Sequence, residues 1–168
     1  SGSVSADVWQ AHNRWDDNWE RRYQHWVTTQ WTEDIFMNPS KPPLYKYATD
    51  CSDASYAMRL IFSFENRLPF VVNDPTRPGQ LTSNRKSTWD HLSQGHRLRM
   101  FLDYMADMTS TKSLTQDTFP VALHDIKTGD IYVAPGVHSY QIVKVTETGI
   151  AEVMASTTPK KSRHLLKT

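Results

Sequence analysis

The sequence predicts an α+β domain, with helices in its first two thirds and an antiparallel sheet in its last third. Three observations lead there. Up to about residue 108, apolar residues recur at three- and four-residue spacing. Beyond about residue 120 they give way to short β-branched and aromatic runs separated by turn residues. The two kinds of segment are segregated along the chain instead of alternating, which favours α+β over a parallel α/β arrangement.

The first element is expected to be one long helix, or two joined helices, over residues 6–36. Val8, His12, Trp15, Trp19, Tyr23, Trp26 and Gln30 share one helical face there. Four of the six tryptophans fall between Trp9 and Trp26, with Trp31 close behind. Aromatics at this spacing are read as docking a helix onto a core, in preference to stacking sugars or bases. Asn38-Pro39-Ser40-Lys41-Pro42-Pro43 ends the element, because proline cannot continue a helix. A second helix starts near Cys51 with Thr49 or Asp50 as its N-cap, presents Ala54, Met58, Ile61 and Phe62, and closes near Asn66. Residues 73–89 are rich in Pro, Gly, Ser, Asn and Thr and show no period, so they read as a long surface loop beside a cleft. Residues 97–108 return to helix, with Leu98, Phe101, Leu102 and Met105 on one side. Strands are expected at 120–123, 130–133, 139–145 and 150–155, with a turn over 146–149.

Composition narrows the function classes. The length of 168 residues suits one domain with a substantial core. A net charge of +1 leaves no electrostatic footprint for nucleic acid, and the basic residues Lys160, Lys161, Arg163, His164 and Lys167 read as a solvated end. No apolar run reaches the roughly 18 residues of a membrane span. The opening Ser1-Gly2-Ser3 reads as a cloning remnant and leaves an export signal undecided. One cysteine excludes an internal disulfide and a cysteine-rich zinc site. His91 and His96 lie five apart with no carboxylate at ligand spacing, so no metal site is expected. His12 and His25 belong to the aromatic helix.

The chemistry-bearing pattern is a cysteine opening a helix, Cys51, followed by a histidine on a later strand, His138; His124 is its rival. The positive end of a helix and a neighbouring imidazole both favour thiolate, the nucleophilic form of sulfur. Around this pair stand Asp50-Cys51-Ser52 at the helix start, Leu68-Pro69 after the helix, and Gly129-Asp130 ahead of the strand with His138. In this order the motifs resemble the NlpC/P60-type papain-like cysteine hydrolases, a superfamily of cell-wall peptidases and amidases. The resemblance covers residues 50–156. It implies a papain-like catalytic core there, with 6–36 as a tryptophan-rich extension of one domain spanning 1–168.

By that resemblance Cys51 attacks an amide carbonyl, while His138 takes the thiol proton and later protonates the leaving amine. The N–H of Cys51 would help hold the oxyanion, with Tyr47 or Tyr45 assisting, although neither has the family's usual spacing. Asp50 and Ser52 would bind a free amine of the substrate; helix capping is the other reading, and both stay open. Two positions depart from the family. Asp53 stands where glycine is usual, and in Val153-Met154-Ala155-Ser156 a methionine occupies the place of the third polar residue. Glu152 and Ser156, on the same strand face, are the candidate replacements. The implied substrate is a peptidoglycan stem peptide, cut without a cofactor, by a periplasmic or secreted protein. It would act on its own wall or as a toxin paired with an immunity or inhibitor protein. Two alternatives stand beside this. One is other thiol chemistry, such as protein deamidation or acyl transfer. The other is a catalytically inactive module that binds glycan or protein.

Overall fold

The computed structural model describes residues 6–168; Ser1-Gly2-Ser3 lie outside the described residues. The first helix, α1 (Asp17–Gln30), is shorter than the expected 6–36. Asp16 caps it by accepting the Trp19 N–H at 2.8 Å, and Asp17 and Glu20 place negative charge at its positive end. Residues ahead of it are not helical because their main-chain groups are used elsewhere. The N–H groups of Val8 and Trp9 reach Asn84 O, and those of His12 and Asn13 reach Arg67 O. The indoles of Trp9 and Trp15 donate to Leu68 O and Pro69 O, each at 2.8 Å. After α1 the chain turns, and Trp31, Ile35 and Phe36 are buried from that irregular stretch. The tryptophan stripe therefore enters the core, as expected, although much of it does so from extended and turn backbone.

Helix α2 (Cys51–Glu65) matches the expected start and end. Twelve of its residues are buried, which makes it the central helix of the fold. Arg59 ties it to α1: the guanidinium lies 3.4 Å from the centroid of the Trp15 ring and makes two hydrogen bonds to Glu20, at 2.8 and 2.6 Å. The stretch expected as an open loop holds a small hairpin, β1 (Val71–Asn73) paired with β2 (Leu81–Ser83). Its turn is organised by Asp74, which is buried and accepts from Thr76, Arg77 and Tyr104. Those donors hold the Asp74 carboxyl well below the usual carboxylate range. The next helices are α3 (Gln94–Met108) and a short α4 (Thr111–Gln116) that periodicity is too brief to reveal.

The strand expected at 120–123 is absent: this exposed stretch leads into a 3₁₀ turn at Leu123–Asp125, and Pro120 has no N–H to give a ladder. The last third forms a four-stranded antiparallel sheet, β3 (Ile131–Ala134), β4 (His138–Val145), β5 (Ala151–Ala155) and β6 (Leu166–Lys167), ordered as in the chain. The fold is thus α+β, with N-terminal helices packed against a C-terminal four-stranded sheet. Strand β6 corrects the reading of the basic end as merely solvated. Thr168 exchanges hydrogen bonds with Val153, Lys161 bridges to Thr49, and Leu165 is buried. Gly129, before β3, has φ +93°, and a Cβ there would come within 3.0 Å of the Tyr23 ring. Among the described residues no helix is long and apolar enough to cross a membrane.

Trp9 is fully buried and hydrogen-bonded, so Trp9→Ala should cost about 3–5 kcal/mol in urea unfolding. An unchanged midpoint would show that the N-terminal arm is not part of the core.

Candidate functional site

Cys51 is the first residue of α2 and is 7% exposed. Its turn is fixed by a reciprocal cap. Asp50 accepts the Asp53 N–H at 3.1 Å, and Asp53 accepts the Asp50 N–H at 2.9 Å. Ser52 donates to the Asp50 carboxylate at 3.1 Å. Asp50 and Ser52 thus serve the cap, with both bonds to the Asp50 carboxylate falling on Oδ1.

Sequence reasoning missed the polar chain that joins this turn to the sheet. The Gln141 amide donates to Ser55 Oγ at 2.7 Å, Ser55 and Ser139 share a hydrogen bond of 2.9 Å, and Ser139 donates to the Cys51 carbonyl at 2.9 Å. All three residues are fully buried. The signal available was weak: Ser139 and Gln141 alternate with His138 and Tyr140 along the strand, so either face could read as the solvated one.

Because Ser139 and Gln141 face α2, the alternation of β4 turns His138 and Tyr140 to the opposite face. There the His138 ring stands edge-on to Tyr140, with centroids 4.4 Å apart. Both line a groove of about 220 Å³ with Val153, Ala155, Thr157 and Leu166. Ser156 also borders it and is tied to Thr49, two residues before Cys51, with the hydroxyls 2.8 Å apart. The structure so places His138 next along β4 to the residue that touches the Cys51 main chain. Among the described residues no hydrogen bond joins its imidazole to the Cys51 sulfur. Proton transfer between them requires the imidazole to come within hydrogen-bond reach.

The remaining candidates separate clearly. Glu152 lies opposite Lys144 in the β4–β5 ladder and forms ion pairs with Lys144 (3.9 Å) and Lys167 (3.3 Å). That is six residues along β4 from His138, about 20 Å at strand rise, so Glu152 does not orient the imidazole. Met154 is buried opposite Gln141. The β4–β5 pairing ends at Gln141 and Met154; beyond it Ser156 is bonded to Thr49, and Thr157 lines the groove with His138. Tyr47 is buried and its hydroxyl donates to Leu102 O at 2.7 Å; burial also holds its phenol well above the usual range. The expected oxyanion role would require Tyr47 to leave that bond. His96 bonds Ser93, His124 is exposed beside Asp125, and among the described residues no cluster could hold a metal ion.

Asp53, the departure from the family pattern, is buried with one carboxylate oxygen lacking a partner among the described residues. Burial pushes its carboxyl up to about 7, against the opposing effects of the Asp50 N–H and Lys160.

With this geometry in view, comparison with family models, with curated proteins and with solved structures gives no match.

Two outcomes are expected. Ser139→Ala removes a donor to the Cys51 carbonyl and should cost about 1–3 kcal/mol in denaturant unfolding; a cost near zero would mean that the buried chain repacks freely. Asp53 binds its proton more tightly folded than unfolded, so its contribution to stability is full below 3.8 and is lost as pH rises through about 7. Asp53→Asn should therefore gain stability relative to the native chain as pH rises from 4 to about 8. A pH-independent difference between their urea midpoints would contradict this.

Proposed function

We propose that this chain is a papain-like cysteine hydrolase of the NlpC/P60 type, cleaving an amide bond with Cys51 as nucleophile and His138 as base. The observation that carries the reading is the hydrogen bond from Ser139 to the Cys51 carbonyl, which ties the capped cysteine turn to the strand that His138 opens. In the reaction the Cys51 thiolate adds to the carbonyl carbon. The Asp53 N–H is taken by the Asp50 cap, so the N–H groups of Cys51 and Ser52 would hold the oxyanion in this reading. His138, having taken the thiol proton, gives it to the leaving amine. Water activated by the same imidazole then hydrolyses the thioester and regenerates the thiol. Thr157, which lines the same groove as His138, would orient the ring in this reading.

The substrate class we propose is the peptidoglycan stem peptide, which follows from the motif resemblance and sets the protein in the periplasm or outside the cell. An immunity or inhibitor protein would accompany a role as a toxin. A second reading, a binding module without turnover, is favoured by the rest position of His138 against Tyr140.

Digestion of purified peptidoglycan, with products resolved by mass spectrometry, tests both. The native chain should release peptides, Cys51→Ala should release none, and His138→Ala should slow release by roughly 10²–10⁴. Rapid iodoacetamide labelling of Cys51 near neutral pH without peptide release would redirect the proposal to another acyl substrate. Sluggish labelling and no release would favour the binding module.

A further inference from the structure

We propose that the cleft beside Glu65, at the opposite end of α2 from Cys51, is a second binding site that takes a small zwitterion with an apolar side chain, such as a free α-amino acid. This site stands apart from the chemistry of Cys51. Glu65 is the last residue of α2 and Cys51 the first, about 20 Å apart at helical rise.

The cleft holds about 220 Å³ between the turn at residues 40–44, the end of α2 and the start of α3. Most of its lining is apolar: Leu44, Ile61 and Leu98 belong to the buried core, and Pro42, Pro43 and Phe64 stand with them. Two charged side chains, Lys41 and Glu65, line the same space. Among the described residues they form no ion pair, with each other or with any other group. Glu65 Oε2 accepts the Trp26 indole N–H at 3.2 Å, and neither Glu65 Oε1 nor the Lys41 ammonium makes a bond among the described residues. Burial raises the Glu65 carboxyl above its ordinary value, with Lys41 and the Trp26 indole opposing the rise. The carboxylate is thus partly withdrawn from water without a fixed counter-charge. Ser40, also in the lining, spends its hydroxyl on Asn38. Arg67 lies 5.6 Å from the Phe64 ring, but it bonds Gln94 at 3.2 Å and does not line the cleft.

Size and charge together select the ligand. The volume is below the roughly 300–1,000 Å³ of sites for drug-sized molecules, which suits a molecule of amino-acid size. A lone cation would meet Lys41 as a like charge, and a lone anion would meet Glu65 in the same way. A zwitterion gives each side chain its counter-charge, and the apolar lining covers a hydrocarbon side chain.

The experiment is a titration followed by NMR, with the indole N–H of Trp26 as reporter because it holds Glu65. The probes are leucine, leucinamide without the carboxylate, 4-methylpentanoate without the ammonium, and glycine without the side chain. Leucine should shift the reporter saturably. Leucinamide and 4-methylpentanoate should bind about threefold or more weakly than leucine, and glycine about tenfold or more weakly. Glu65→Gln should bring leucine and 4-methylpentanoate to the same Kd, and Lys41→Met should do so for leucine and leucinamide, because each variant removes the partner of the charge that distinguishes the pair. No saturable shift with leucine overturns the site. A probe lacking one charge that binds as tightly as leucine, or differences between probes that persist in both variants, overturns the zwitterion assignment. If a variant does not fold, as judged by its NMR spectrum, the order of the four probes on the native chain decides alone.

Discussion

The burial of the N-terminus of α2 is the constraint on which the rest of the structure depends. A helix whose first turn lies inside the protein must find partners there for its free N–H groups and for any polar side chain it carries in. Asp50 and Asp53 answer the first need by capping each other's main chain. Ser139 and Gln141 answer the second from the sheet side, meeting Ser55 of α2 and the Cys51 carbonyl. Neither set works without the other, because the cap fixes the turn and the sheet fixes where the turn sits.

This arrangement explains how two distant parts of the chain come to share one small region. Strand β4 is held against α2 by directional bonds as well as apolar contact, so its register relative to the cysteine turn is determined. The same alternation that sends Ser139 inward sends His138 outward, into the groove with Tyr140 and Thr157. Lys160, in the segment before β6, closes the turn from a third side, against a carboxylate that otherwise would be buried without a counter-charge. Strand β6 and the Thr49–Lys161 bridge are thus part of the support of the site.

The aromatic N-terminal region plays the complementary, apolar role. Trp9, Trp15 and Trp26 surround Phe62 and Phe64 on α2 with tilted and edge-on contacts, and two of the indoles also hydrogen-bond the main chain that follows that helix. The result steadies the far end of α2 as the cap steadies its start.

Several features were written in local sequence. A cap at Thr49 or Asp50, the bounds of α2, the apolar face of α3 and the approximate extents of β4 and β5 depend on residues close together in the chain, and each was legible there. So was the α+β class, since it follows from helical segments preceding strands. The pairing of a cysteine turn with a histidine strand was legible as an order of motifs. Tertiary structure decided the rest, because those outcomes depend on partners far away in sequence. Residues 6–16 kept a helical period but gave their hydrogen bonds to Arg67 and Asn84. The segment 120–123 had strand-like residues but no neighbour to pair with. The basic end found a sheet edge in β5, Glu152 found Lys144 and Lys167, and Tyr47 found Leu102. Periodicity reports which face of a segment is apolar; only the packed chain determines what that face, and each polar group upon it, will meet.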